Sequence, residues 1–343
     1  MKTLREKEWF FSQEKEAFDP KPPMIYAPDP HYNIYRLKTT RQLISEVDLD
    51  LGLGLDTPFT IGAVADLHFN VCNQKDRQDE ELSYTEQCRF WPENLKWAPP
   101  AIRVLDACDF CDAAVIIGDM LDYLTDASLN FAVKNVFKKY PEYMVAIGAH
   151  DFTKQVQTKK PELTSLEERL NTLRAVWPHD IHYYSRDYLD KITVVILDNS
   201  QSKYLNCEVE PFKADIERAR REGRVILVFQ HEPMISNNPA ETSVDAIIGN
   251  SGTRQNVDIG INPTIVGGAL RNEEATPEMY ELITKNSDVV KAVFAGHWHS
   301  QFYSEIVSSY EKDGEIIKTL TPQYVISGNP YHEAGAMAKI IIK

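Results

Sequence analysis

Eight histidines and aspartates, residue types that can bind metals or carry protons, follow the same kind of segment. Short β-branched and apolar runs lead into Asp66-Leu67-His68, Gly118-Asp119-Met120-Leu121-Asp122, Gly148-Ala149-His150-Asp151, Gln230-His231 and Gly296-His297-Trp298-His299. Imidazole and carboxylate together are ligands for divalent transition metals, and a carboxylate can bridge two ions. An Asp-x-His or His-x-His pair can turn both side chains inward where a strand gives way to loop. Glycine at 118, 148 and 296 permits tight turns and close backbone approach there. Taken singly these motifs are ordinary: Gly118-Asp119 is a common strand-to-loop turn, and a lone His231 is more often a core or capping histidine. Five of the nine histidines, with Asp66, Asp119 and Asp122, stand in series at five strand ends. That series points to a metal centre, because the carboxyl ends of strands in open α/β sheets are where ligands bind.

The elements that must carry these residues are readable. Strands are expected at Phe59–Ala65, Ala113–Ile117, Tyr143–Ile147, Ile192–Leu197, Arg224–Phe229 and Val289–Ala295. Helices lie between them: Asp126 caps one through Phe137, Pro211 opens one that Gly223 closes, and Thr276-Pro277 reads as cap then first-turn proline. Such alternation is the mark of a layered α/β domain. After His299 the pattern turns all-β, at Gln301–Ser308, Ile316–Leu320, Gln323–Ser327 and Ala336–Ile342. Residues 1–57 read as a proline-punctuated N-terminal extension with one short helical candidate, Arg41–Val47, and residues 58–343 as the domain. Two long polar stretches, 70–100 and 232–275, leave from His68 and His231 and have the length of lids or binding loops.

Composition narrows the function. Across 343 residues, 37 Lys+Arg against 51 Asp+Glu give a formal charge of −14. A partner held by its phosphate backbone wants clustered Lys and Arg, so nucleic acid is not expected as the main partner. No apolar run reaches membrane length, and the first twenty residues lack a signal-peptide core, so neither membrane nor export is expected. Five cysteines are few and odd in number, which favours a reducing cytoplasmic setting. Cys108-x-x-Cys111 lies in a helical stretch before a core strand and reads as packing, with a structural or redox zinc site as its rival.

The motif series resembles the calcineurin-like metallophosphoesterase superfamily from about Phe59 to the C-terminus. The resemblance implies a four-layer α/β/β/α sandwich of two mixed β-sheets flanked by helices, with two divalent metal ions (Mn, Fe or Zn) at the strand ends. One ion would be held by Asp66, His68, Asp119 and His299, the other by Asp119, His231 and His297. His150 matches the histidine that contacts the phosphoryl oxygen or protonates the leaving group, and Asp122 the carboxylate that orients it. The implied activity is hydrolysis of a phosphomonoester or phosphodiester, of small-molecule size, by metal-activated hydroxide. The pattern departs at Ala149, where the family carries an Asn whose oxygen binds the second metal. A weak second site, replacement by water or a loop residue, or an inactivated or engineered chain would each account for it. A catalytically impaired member that binds a phosphorylated ligand or protein partner is therefore the alternative. Asp122 stands where purple acid phosphatases need tyrosine, and Tyr123-Leu124 where protein Ser/Thr phosphatases carry Arg-Gly. The loop aromatics Phe90, Trp91 and Trp97 read chiefly as loop packing, and Asn329-Pro330-Tyr331-His332 as a turn near the site.

Overall fold

The computed structural model describes residues 4–17, 31–80, 82–83, 98–153, 164–234, 274–297, 299, 301–326 and 335–343. Two sheets form its centre. The first takes β1 (Lys15–Ala17), β2 (Asn33–Leu37), β3 (Leu43–Leu49), β4 (Phe59–Ala65), β5 (Ala113–Ile117), β6 (Met144–Ala146) and the C-terminal strand β13 (Ala336–Ile342), in the order β1-β2-β3-β13-β4-β5-β6. The second takes β7 (Tyr183–Tyr188), β8 (Ile192–Leu197), β9 (Val225–Phe229), β10 (Val290–Ala295), β11 (Phe302–Lys312) and β12 (Glu315–Val325), in the order β11-β12-β10-β9-β8-β7. Both are mixed: β4, β5 and β6 run parallel while β13 meets β4 antiparallel, and β8, β9, β10 and β12 run parallel between antiparallel edges.

Side chains alternate across the central strands, and each face is buried, as uninterrupted apolar runs require. Ile61, Ala63, Ala65, Val115 and Ile117 meet Val194, Ile196, Leu227, Phe229 and Phe294 between the sheets. Val64, Ala114, Ile116 and Val145 face the other way, onto α2 (Ala98–Cys108), α3 (Asp126–Ala132) and α5 (Leu166–Arg174), with α1 (Leu4–Phe11) contributing Phe10. Val195, Leu197, Ile226, Val228 and Val293 are covered by α6 (Asn206–Glu222) and α7 (Thr276–Lys285). Three apolar seams between four layers make the expected α/β/β/α sandwich. Cys108 and Cys111 pack in the seam under α2.

Several elements differ from expectation. The helical candidate Arg41–Val47 is instead strand β3, paired with β2 on one side and β13 on the other. Its apolar positions 43, 44 and 47 suit either period, and pairing on both edges overrides a weak local preference. The first sheet thus draws strands from both sides of residue 57. Thr125, not Asp126, caps α3 by accepting the Ser128 amide, and residues Val133–Phe137 continue it as a π-turn. α6 begins at Asn206, so Pro211 lies inside it, although Gly223 closes it in a left-handed conformation as expected. In α7, Thr276 is the first helical residue and Ala275 the cap; the Thr276 hydroxyl instead accepts the Tyr204 amide. The two short strands expected over 316–327 are one strand, β12, bonded to β11 along its length. Of the loop segments, 84–97 and 235–273 lie outside the described residues, with Phe90, Trp91 and Trp97, as does Asn329-Pro330-Tyr331-His332.

Candidate metal centre

All eight residues gather at one end of the sandwich, where β4, β5, β6, β9 and β10 end. The ladder persists past the strands: the amides of Asp66, His68 and Phe69 donate to the carbonyls of Gly118, Asp119 and Met120. The Gly296 amide donates to the His231 carbonyl, and the His297 amide to both oxygens of Asp66, at 3.1 and 3.0 Å. That last contact ties the second sheet's edge of the site to the first sheet's.

The backbone here is unusual. Asp66, His68, Asp119, His297 and His299 all have positive φ, between 46° and 71°. L-residues other than Asn and Asp seldom accept that conformation, and each such residue costs on the order of 1 kcal/mol or more. It re-aims the side chain at the strand end, so that residues two apart both face the centre. Glycines make the room. A Cβ on Gly148 would run into the Asp119 backbone and carboxylate, and one on Gly118 into the His231 ring.

Three groups of ligand atoms result, each group lying within 4.8 Å: Asp66, His68 and His299; Asp119, His231 and His297; and His68, Asp122 and His150. His68 Nε2 is 2.9 Å from His299 Nε2, which is 3.3 Å from Asp66 Oδ1. His231 Nε2 is 3.2 Å from His297 Nδ1 and 3.1 Å from Asp119 Oδ2, and the same oxygen lies 3.9 Å from His68 Nε2. Asp119 therefore sits between the first two groups. Its other oxygen accepts the His150 amide at 3.0 Å.

Electrostatics favour ligand forms over acids. Burial, with the neighbouring rings, pushes His68 down to about 4 and His297 to about 3, so both are neutral at pH 7. Burial also opposes charge on Asp66 and Asp119, but the histidines around them outweigh it and hold both carboxyls below their usual range. His231 goes the other way: burial disfavours its cation, yet Asp119 lifts it to about 10. Its Nδ1 faces the Ile117 carbonyl at 3.1 Å, leaving Nε2 for the centre. Imidazole nitrogens approaching one another at 2.9 and 3.2 Å beside the ionised carboxylates of Asp66 and Asp119 are a donor set that fits divalent Mn, Fe or Zn.

Two residues escaped the sequence reading. Asn70 Nδ2 donates to Asp122 Oδ2 at 2.8 Å, and its position two beyond His68 was the available signal. Asp151 lies in the third motif without an assigned task. It is buried and accepts the Leu121 and Gly148 amides, both at 2.8 Å, bracing the turn that carries Asp119 against the turn that carries His150. Burial and nearby Asp119 raise it to about 7. Ala149, where an Asn ligand was expected, opens the four-residue helix α4 (Ala149–Phe152) and packs half-buried on the outer core. Cys108 and Cys111 are absent from the ligand groups found among the described residues.

The sequence model of the calcineurin-like phosphoesterases matches residues 59–301, most of the chain, and the chain belongs to that family. It is a metallophosphoesterase, a hydrolase of phosphate esters, and the family implies a dinuclear divalent-metal centre. No curated protein sequence matches the chain. Among solved structures it is similar to a dimetal phosphatase from Danio rerio, at 13% identity and a TM-score of 0.41, covering 80% of this chain and 88% of that one. It is similar to the phosphopantetheinyl hydrolase of Mycobacterium tuberculosis, at 12% identity and a TM-score of 0.32, covering 80% and 91%. A candidate 5′-nucleotidase from Staphylococcus aureus is similar at 12% identity and a TM-score of 0.38, covering 78% of this chain; the match spans about half, 54%, of the bacterial protein. Among the described residues no helix is long and apolar enough to cross a membrane.

Proposed function

We propose that this chain hydrolyses a small phosphomonoester or phosphodiester in the cytoplasm, with Asp66, His68, Asp119 and His299 holding one cation and Asp119, His231 and His297 the other. The observation that supports this most is Asp119 Oδ2, 3.1 Å from His231 Nε2 in one group and 3.9 Å from His68 Nε2 in the other. When bound, two divalent ions would offset phosphoryl charge and lower the pKa of a water towards about 7, supplying hydroxide at neutral pH. The chain's own residues do the rest. The carboxylates of Asp66 and Asp119 supply the negative charge that retains the ions. His150 donates through Nδ1 to the Asp122 carbonyl at 3.0 Å, which leaves Nε2 to deliver a proton to the departing oxygen. A small substrate also suits a chain of charge −14, since metal ions rather than a basic surface would meet its phosphate.

Ala149 favours a second reading, an impaired member that binds a phosphorylated ligand or protein partner, because it brings no side-chain oxygen to the group of Asp119, His231 and His297. Metal analysis combined with hydrolysis of a chromogenic monoester and diester in Mn²⁺, on the native chain beside Ala149→Asn, separates the two. Turnover by the native chain supports hydrolysis. Turnover only by Ala149→Asn, with metal content rising towards two, supports the impaired reading. Absence of metal from both proteins would overturn the proposal.

A further inference from the structure

The segment that leaves β9 through His231 is fastened by two buried side-chain amides. Asn199, two residues past the end of β8, accepts the Glu232 amide on Oδ1 at 2.9 Å and donates from Nδ2 to the Glu232 carbonyl at 2.7 Å. Gln323, in β12, holds Met234 in the same way, accepting its amide on Oε1 at 2.7 Å and donating from Nε2 to its carbonyl at 2.9 Å. Gln230 adds a second donor to the Glu232 carbonyl at 2.8 Å, and its own Oε1 accepts from the Tyr204 hydroxyl at 2.6 Å. Asn199, Gln230, Gln323 and Tyr204 are wholly buried. A primary amide carries an acceptor and a donor side by side, so it exchanges both bonds with one residue as a neighbouring strand would.

The two amides differ in what they hold. The Glu232 N–H belongs to the peptide plane that begins at His231, and the other polar group of that plane, the His231 carbonyl, accepts the Gly296 amide at 2.9 Å. This one peptide is therefore bonded on both sides, to Asn199 beyond β8 and to Gly296 beyond β10, with His297 next in the chain. A peptide unit is planar, so fixing its N–H and its C=O together fixes the direction in which His231 projects its ring. The ring's Nδ1 faces the Ile117 carbonyl at 3.1 Å, and its Nε2 lies 3.1 Å from Asp119 Oδ2 and 3.2 Å from His297 Nδ1. Gln323 acts beyond Pro233 and bonds to no peptide group of a ligand. We propose that Asn199 is a positioning residue for His231, and through Gly296 for His297, so that it governs the ion held by Asp119, His231 and His297. The proposal rests on the metal centre proposed above.

The test is Co²⁺ and Mn²⁺ titration of the full-length protein, native and as Asn199→Ala, Asn199→Asp and Gln323→Ala, with the visible Co²⁺ bands and the melting temperature of each metal-free form. Each alanine variant removes two buried main-chain bonds, so both should melt below the native protein by similar amounts. Asn199→Ala alone should lose about tenfold in affinity for the ion of Asp119, His231 and His297, the lower end of what removal of a ligand-orienting group costs. Its Co²⁺ bands should shift as well, because a ligand nitrogen has moved, while the ion of Asp66, His68 and His299 keeps its native affinity. Gln323→Ala should bind both ions as the native chain does. Asn199→Asp keeps an acceptor for the Glu232 amide, so it should fall between native and Asn199→Ala, and it carries the test if Asn199→Ala does not fold. Native affinity and native Co²⁺ bands in both Asn199 variants would overturn the proposal. Equal loss in Asn199→Ala and Gln323→Ala would overturn it too, since both amides would then act on stability alone. Failure of the native chain to bind metal would instead overturn the metal centre itself.

Discussion

His231 and Asp119 face each other at 3.1 Å, and the proton between them has consequences that can be measured. In the metal-free protein His231 is raised from 6.5 to about 10, so its stabilising contribution is full below pH 6.5 and is lost as pH climbs through 10. His68 and His297 are depressed, to about 4 and 3, so what they contribute is present above 6.5 and lost as pH falls through those values. These three groups together place the stability maximum of chelator-treated protein near pH 6.5, with decline on both sides. Thermal melts across pH 4–10 check this, and a flat profile above pH 7 would place the proton elsewhere. A cation at Asp119, His231 and His297 must displace that proton. Calorimetry at pH 7.5 in buffers of different ionisation enthalpy should therefore report about one proton released per ion at that site. Ala149→Asn adds an oxygen beside the same group and should raise affinity for the second ion selectively, read as a stoichiometry moving towards two.

The turns between elements do as much as the ligands. Gly148 stands against Asp119 so closely that a methyl group has no space, with Asp119 Cγ 2.9 Å from where its Cβ would be. Gly148→Ala should push Asp119 out of place, and metal content measured after gel filtration should fall well below native even where the protein stays folded. Full metal content in that variant would show that the turn can give. Within α6, Pro211 sits in the sixth position, where it removes the amide that would bond the Cys207 carbonyl. An interior proline costs a helix about 3 kcal/mol, partly offset by about 0.4–1 kcal/mol of lost unfolded-state entropy. Pro211→Ala should accordingly stabilise the protein by about 2 kcal/mol in denaturant melts, without changing metal binding, since α6 lies on the outer face of the second sheet.

For the molecule as a whole, the N-terminal residues matter most. β3 pairs with β13 along seven residues, and β13 in turn pairs with β4, which leads into Asp66 and His68. Tyr32 reaches the second sheet, its hydroxyl lying 2.9 Å from the Phe302 carbonyl and 3.0 Å from that of Val325. Deleting residues 1–57 would expose one edge of β13 and uncover Ile44, Val47 and Leu49 sites in two seams of the core. An exposed central edge recruits other chains. The expected outcome is aggregated or unfolded protein by circular dichroism and gel filtration; a soluble, metal-binding fragment would show that residues 58–343 suffice.

The strand–helix order, the apolar runs and the carboxyl-end series from Asp66 to His299 are local properties, and they were legible because strand burial and ligand chemistry leave periodic marks in a chain. The limits Phe59–Ala65, Ala113–Ile117, Ile192–Leu197 and Ala336–Ile342 read directly, since each is a buried apolar run bounded by turn residues. Strand β3 was not legible, because its identity comes from β2 and β13, partners whose pairing has no trace within residues 43–49. The same holds at the site. Which residues could hold a metal was apparent from type and spacing. Which acceptor His150 Nδ1 meets, and which carboxylate braces Gly148 against Leu121, depend on distances between segments far apart in the chain. Only the pairing of β4, β5 and β6 and the turns beyond them sets such distances, since a hydrogen bond selects between acceptors at 3.0 and 3.4 Å after the chain has closed around them.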